Sequence, residues 1–266
     1  MKTALTIAGS DSCGGAGIQA DLKVFSVLNV YGMTALTAVT AQNTLGVRDV
    51  AEMSPDNVRK QIDAVAGDIP VDATKTGMLG SAGIIEAVEE CIGRNKLQPY
   101  VCDPVMVAKG GDLLLKTEAI GAMIKRLFPL ATVVTPNLRE TAQLTGVERI
   151  GPNLPAARDA AKRIVDLGAR AVLVKGIEQE GQFVDLFYDG RECLEFAARA
   201  QSKEKTHGSG CAYSAAITAG LANRMSLVDA IDQAKQLVTT AIQHGDGQGR
   251  GITPVNVLAF APKVKK

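Results

Sequence analysis

The sequence lacks a surplus of either charge. Its 266 residues carry 29 lysines and arginines against 28 aspartates and glutamates, a formal charge of +1, and no basic run precedes the short tail Lys263, Lys265, Lys266. Without a basic stripe there is no electrostatic footprint for nucleic acid, and none is expected as a partner. Cys-x-x-Cys pairs are missing too. The five cysteines, Cys13, Cys91, Cys102, Cys193 and Cys211, are odd in number and scattered. They offer neither a zinc site nor a redox motif and read as reduced thiols in a cytoplasm. Long apolar runs are absent as well: Thr3-Ala-Leu-Thr-Ile-Ala8 at the start is far too short for a signal segment or a membrane span. No membrane partner is expected. Internal repeats, low-complexity stretches and Pro/Ser-rich linkers are lacking, so residues 1–266 are expected to form one domain.

What is present is apolar residue in quantity, 46% of the chain, enough for a sizeable core. Short apolar or β-branched runs recur at Leu5–Ala8, Thr34–Thr40, Val71–Lys75, Tyr100–Asp103, Thr132–Thr135 and Ala171–Lys175. Between them, Pro55–Ala66, Ala82–Ile92, Glu118–Phe128, Ala156–Leu167 and Leu227–Gln243 carry apolar residues at helical spacing. This alternation predicts an α/β fold with a mostly parallel sheet covered by helices on both faces, three layers in all. Phe183–Tyr188 and Glu192–Ala197, separated by Asp189-Gly190-Arg191, predict a small β-hairpin appended to the sheet. In an open parallel sheet, ligands lie beyond the carboxyl ends of the strands where the strand order reverses. Polar and glycine residues at strand ends therefore matter most.

Two glycine-rich turns meet that description. The first, Gly9 to Asp21, contains Gly14-Gly15-Ala16-Gly17. It is no P-loop, because Gly15-Ala16 stands where Lys and Ser/Thr would grip phosphate and metal. It fits the dinucleotide pattern Gly-x-Gly-x-x-Ala poorly, with six residues between strand end and Gly15 and no acidic residue about twenty positions on. A flexible loop capping a helix is the plainer reading. Asp21, a carboxylate in the first turns of a helix whose glycine entrance lets amides approach a ligand, raises its interest. The second turn, Thr206-His207-Gly208-Ser209-Gly210-Cys211, leads into a small-residue helix from Ala212 to Ala222. Successive amides at such a helix start, with the positive end of its dipole, make a site for phosphate oxygens. Cys211 sits where a helix N-terminus lowers a thiol's pKa, so it could bind an anion, accept a proton or attack as a nucleophile; it could equally be a small buried apolar residue. Ser209 is no hydrolase nucleophile, since His207 and Cys211 replace both glycines of Gly-x-Ser-x-Gly. His207 reads as part of the turn and His244 as an ordinary helix-end residue.

Taken together, these stretches resemble the ribokinase-like superfamily and, within it, the hydroxymethylpyrimidine and phosphohydroxymethylpyrimidine kinases. The resemblance spans nearly the whole chain: Ala8-Gly-Ser-Asp11, Gly14 to Lys23, Tyr31-Gly-Met, Thr40-Ala-Gln-Asn-Thr44, Lys75-Thr-Gly-Met-Leu79, Asp103-Pro-Val-Met106, Thr135-Pro-Asn-Leu-Arg-Glu140, Val174-Lys-Gly176 and the Thr206–Cys211 turn. It implies an ATP- and Mg²⁺-dependent kinase acting in the cytoplasm as a homodimer on 4-amino-5-hydroxymethyl-2-methylpyrimidine (HMP) and HMP phosphate.

The resemblance also implies roles. Gln42 would grip the aminopyrimidine edge, which an amide suits because it both donates and accepts. Asp21 would lie near the hydroxymethyl group, and Gly9, Gly77, Met78 and Val105 would wall the ring pocket. Asp103, Asn137 and Glu140 would organise Mg²⁺, through water because that ion dehydrates reluctantly. Lys175, Thr206, Ser209 and Lys235 would serve the nucleotide. Gly208 and Gly210 would supply amides to the transferred phosphoryl group, with Cys211 and Asp21 as candidate proton acceptors. Taken alone, Gln42-Asn43 is a turn, Asn137 and Glu140 are a cap and a surface charge, and each lysine is a solvated surface charge. The chain departs from the family at Ser209, at Ile177 and in the segment 201–205, the last two on the nucleotide side. Two rivals stand beside this expectation: a pyridoxal or pyridoxine kinase of the same branch, and a vitamin-precursor binding protein without turnover.

Overall fold

The structure, a computed structural model, describes residues 1–106, 117–147, 150–151, 153–199, 206–245 and 247–261. The first β-α-β unit is β1 (Lys2–Asp11), α1 (Gly17–Val27) and β2 (Val30–Asn43), followed by an antiparallel strand β3 (Gly46–Glu52). There follow α2 (Pro55–Ala66), β4 (Ala73–Thr76), α3 (Ala82–Arg94), β5 (Tyr100–Cys102), α4 (Thr117–Arg126), β6 (Val133–Val134), α5 (Leu138–Thr145) and α6 (Leu154–Asp166). The last third holds β7 (Val172–Gln179), β8 (Gln182–Tyr188), β9 (Cys193–Arg199), β10 (Thr206–His207), α7 (Ser209–Ala222), α8 (Leu227–Gln243) and β11 (Thr253–Pro254).

Nine strands form one sheet in the order β3-β2-β1-β4-β5-β6-β7-β8-β9. The six from β2 to β7 are parallel, and antiparallel strands finish both margins. The chain starts at β1, goes outward to β2, then returns to β4 on the other side. The strand order therefore reverses between β1 and β4, and loops leaving their carboxyl ends diverge to open a crevice. The predicted hairpin is present as β8–β9 and continues the sheet from β7.

Alternation along the buried strands divides the core. Leu5 and Ile7 of β1, with Tyr100, Cys102, Val134 and Val172, face α2, α3, α4 and α6. Ala4, Ala73, Val101, Val133 and Leu173 face α1, α7 and α8. Helix starts follow their sequence: Ser54 caps α2 by accepting from Asn57 N at 3.2 Å with Pro55 behind it, and Ser226 caps α8 through Asp229 N at 3.1 Å. Helix α7 is the buried one. Its alanines and glycines admit close neighbours, and a β-carbon on Gly220 would lie 2.8 Å from Ala230 Cβ of α8.

Two elements differ from the sequence reading. β3 was not expected; five of its seven residues are exposed, so it carries no in–out alternation to mark it. β1 runs to Asp11 through a register shift between Ala8 and Ser10, three residues past the expected strand end. The departure at 201–205 lies outside the described residues. Ile177 is fully buried in the core on the α2/α3/α4/α6 side. No described helix is long and apolar enough to cross a membrane.

Ile7 lies on β1, between β2 and β4, with no solvent exposure. Ile7→Ala is expected to lower stability by about 2–5 kcal/mol, read as a fall in the urea midpoint at unchanged slope.

Candidate active site

All the candidate site residues except Asp21 line one cavity of about 630 Å³ above the carboxyl ends of the parallel strands. β1 carries Gly9 near its carboxyl end, β4 leads into Gly77 and Met78, β5 into Asp103 and Val105, β6 into Asn137 and Glu140, and β7 carries Lys175; all of these line it. The start of α7 closes the cavity with Thr206, Gly208, Ser209, Gly210 and Cys211, and Gln42 and Lys235 reach it from β2 and α8.

The first glycine turn is built around Asp11. Its carboxylate accepts from Cys13 N at 3.0 Å, Gly15 N at 3.1 Å and Ala16 N at 2.8 Å, and it lies 2.7 Å from His207 Nε2. Burial alone would raise this acid, but His207, the Cys13 thiol and the Cys13 amide outweigh it and hold the pKa near 2. These amides, expected to meet a ligand, are thus turned onto the protein's own carboxylate. The two turns also mesh. A β-carbon on Gly15 would strike the His207 ring, and one on Gly208, whose φ is +81°, would fall on Gly15 O. Only glycine permits that approach.

The second turn lines the same cavity. Gly208 is the N-cap of α7, with no side chain capping the helix, so the first amides of α7 point toward the cavity. Cys211 differs from expectation. Burial pushes its thiol up to about 11; the Lys75 charge and the Gly17 amide oppose the rise, while Asp21 and Asp103 add to it. At that value the thiol is protonated at pH 7.

Asp21 is also corrected. It is fully buried under the cavity floor, with both oxygens 3.0 Å from Lys75 Nζ and one accepting from Thr6 Oγ1 at 2.6 Å. It does not line the cavity and cannot take a substrate proton there. Its work is to hold Lys75, which does line the cavity. Burial would lower the Lys75 pKa, but Asp21, Cys211 and Asp103 together raise it, so the ammonium stays charged.

Asp103 forms a second buried knot, bonded to Lys175 Nζ, Thr135 Oγ1 and Ser214 Oγ, each at 3.0 Å. Glu140 lies close enough to feel its charge. Burial first, then Asp103, lift the Glu140 carboxyl to about 7 against the pull of Lys175. Two carboxylates that repel each other at one end of the cavity are a donor set of the kind a divalent cation would relieve. Asn137 does not fit as a direct ligand. Its side-chain oxygen accepts from Arg139 N at 2.9 Å and Glu140 N at 3.0 Å, and Glu140 bonds back to Asn137 N at 2.9 Å, a capping box that leaves only the NH₂ group. Lys235 reaches the cavity edge but is bound to Asp185 at 2.7 Å and to Phe183 O at 2.9 Å. His244 is the helix-end residue expected, its Nδ1 3.0 Å from Thr240 O.

Sequence reading missed Lys75, Asp11 and His207 as site residues. Lys75 carried a signal, a lysine inside an apolar strand run; Asp11 and His207 are 196 residues apart and carried none.

The mostly parallel α/β sheet, with amides, lysines and paired carboxylates around one crevice, agrees with the ribokinase-like fold that the sequence resembles, and similarity to known proteins identifies the class as ATP-dependent small-molecule kinases. Residues 11–256 match the model of the phosphomethylpyrimidine kinase family. The chain is 48% identical over 253 residues to the hydroxymethylpyrimidine/phosphomethylpyrimidine kinase of Rhizobium meliloti, covering 93% of this chain and 94% of that one. Among solved structures, the ADP complex of Bacillus subtilis pyridoxal kinase superposes with a TM-score of 0.91 at 41% identity over 98% of both chains. Staphylococcus aureus pyridoxal kinase in complex with AMP-PCP and pyridoxal gives 0.89 at 39%, over 98% of this chain and 94% of that one. This chain belongs to the phosphomethylpyrimidine kinase family.

Lys75→Met strands a buried carboxylate and is expected to cost about 3–5 kcal/mol, with most of it recovered in the double variant Asp21→Asn/Lys75→Met, read by urea unfolding. Glu140 binds its proton more tightly folded than unfolded, so acid favours the fold. Stability should fall as pH rises from about 4.5 through about 7, and Glu140→Gln should flatten that decline.

Proposed function

We propose that this protein transfers the γ-phosphoryl group of ATP to the hydroxymethyl oxygen of HMP, and in a second turn to HMP phosphate, giving the diphosphate for thiamine biosynthesis. One observation carries the reading: a single cavity holds the Gln42 amide, suited to an aminopyrimidine edge, and the free amides that open α7, suited to phosphate. Gly9, Gly77, Met78 and Val105 give the ring backbone and apolar walls. A β-carbon on Gly77 would lie 3.0 Å from Ala8 Cβ, so glycine keeps this wall thin.

In a largely dissociative transfer the acceptor hydroxyl keeps its proton until late, so positioning and charge stabilisation matter more than a strong base. A neutral Cys211 is compatible with that, and Lys75 and Lys175 bring positive charge to the cavity from below and from β7. Mg²⁺, when bound, would neutralise phosphate charge; Asp103 and Glu140 would hold it through water, with Asn137 fixing Glu140. Thr206 and Ser209 stand beside the phosphate amides. Helix α8 presents Lys235, Val238 and Ile242 at i, i+3 and i+7, an apolar wall with one cation that suits the nucleotide. The family resemblance supports a single domain over 1–266, a homodimer, cytoplasmic location and dissolved small molecules as partners.

Pyridoxal phosphorylation is the second reading, favoured by the two pyridoxal kinases that superpose on this fold. Incubation with Mg-ATP and either substrate, followed by mass spectrometry, is expected to show mono- and diphosphate of the aminopyrimidine; binding without phosphate transfer would overturn the kinase reading. Gln42→Met should cut kcat/KM on the aminopyrimidine by about 100-fold while changing pyridoxal turnover by less than about fivefold, because a methionine cannot satisfy the aminopyrimidine's polar edge. Equal losses would reject the pyrimidine assignment.

A further inference from the structure

Strand β7 carries one residue more than its partner needs. Its pairing with β8 sets Val174 opposite Leu186 and Ile177 opposite Val184, so Lys175 and Gly176 together face the single residue Asp185. The packing shows the same insertion: Val172, Val174 and Ile177 all enter the core on the α2/α3/α4/α6 side, at a spacing of two and then three. Two residues against one make a β-bulge, a device that re-aims a side chain beside a site. Here the side chain is that of Lys175. Its ammonium reaches Asp103 Oδ1 at 3.0 Å and lies at the first turn of α7, where a β-carbon on Gly210 would be 3.7 Å from Nζ.

Burial of Ile177 holds the strand beyond the bulge, but the bulge itself has little to pack against. Gly176 has φ +82°, and a β-carbon on it would meet nothing within 4 Å, so conformation and not space calls for glycine there. A side chain holds it instead: Gly176 N donates to Asp185 Oδ1 at 2.8 Å. The other oxygen, Oδ2, accepts from Lys235 Nζ at 2.7 Å, and Lys235 also donates to Phe183 O at 2.9 Å. Alternation along β8 sends Asp185 this way, since Val184 and Leu186 enter the α2/α3/α4/α6 core while Phe187, on the same face as Asp185, packs toward α7 and α8. We propose that Asp185 is a positioning residue for phosphoryl transfer: it pins the bulge through the Gly176 amide and so aims the Lys175 ammonium at Asp103 and the first amides of α7. Lys235 orients the Asp185 carboxylate from α8.

This inference rests on the reading of Lys175 as a charge on the nucleotide side of the cavity, and the test separates the two. Removing Asp185 alone would strand the Lys235 ammonium, so two double variants are compared, Asp185→Asn/Lys235→Met and Asp185→Ala/Lys235→Met. Both lack the ion pair, and only the first keeps an oxygen for Gly176 N. The alanine double is expected to have kcat/KM for ATP about tenfold below that of the asparagine double, with KM for the aminopyrimidine differing by less than about threefold. Because Asp185 works through Lys175, the gap should close when Lys175→Met is added to both. Gly176→Ala leaves Asp185 and Lys235 paired and strains only the bulge; it too should lower kcat/KM for ATP by about tenfold, and by no more than about twofold in a Lys175→Met background, so the result does not hang on the doubles folding. A general structural role would lower activity whether or not Lys175 is present, and losses that persist in the Lys175→Met background would overturn the proposal. A large loss in Lys175→Met alone, with equal values for the two doubles, overturns this inference only. If Lys175→Met alone keeps kcat/KM for ATP within about threefold of wild type, the reading of Lys175 fails and this inference with it.

Discussion

The site depends on a buried ion pair. Asp21 of α1 and Lys75 of β4 meet beneath the cavity floor with no solvent exposure, and neither could stay charged there alone. Taking two charges out of water is repaid only when the geometry is good and the remaining lone pairs are satisfied, as Thr6 does for Asp21. The pair need not stabilise the fold to be retained. It places a cation at the one point where the strand order reverses, next to Cys211 and Asp103. A phosphate oxygen entering the crevice meets charge already desolvated and oriented, which in a low-dielectric site counts for far more than the same charge in water.

Three carboxylates do three different jobs because their surroundings differ. Asp11 is surrounded by donors and held near 2, so it shapes the first turn and fixes a histidine tautomer. Asp21 has one strong partner and anchors it. Glu140 has burial and a like charge against it and sits near 7, poised between states at the pH of a cell. The same residue type thus serves as scaffold, anchor and candidate metal donor.

Much of this was legible in the sequence, for local reasons. Runs such as Tyr100–Cys102 and Val172–Val174 are buried on both faces and read as parallel strands, and the Gly208 turn stands, as read, at the start of a small-residue helix. The failures share a cause as well. β3 carries no buried face to set a pattern. The Asp21 carboxylate looked like a ligand contact because sequence does not reveal that Lys75, on a different strand, neutralises it from below. For Cys211 the sequence left a helix-end thiol and a buried residue side by side, and only the structure shows burial to be the larger effect on its pKa. The Asp11–His207 pair joins the two ends of the chain, and no spacing rule reaches that far.

The meshing of the glycine turns has a consequence for the order in which the protein becomes competent. Gly15 and Gly208 touch backbone to backbone, and the Asp11–His207 bond spans 196 residues. A chain emerging from the ribosome can assemble β1 to β7 long before the second turn exists, yet until Gly208 docks on Gly15 the cavity has no far wall and the amides that open α7 no helix. Ligand affinity therefore arrives late and all at once, a closure of high contact order set on an otherwise local βαβ framework. Substrate can then select the finished molecule over its partly folded precursors.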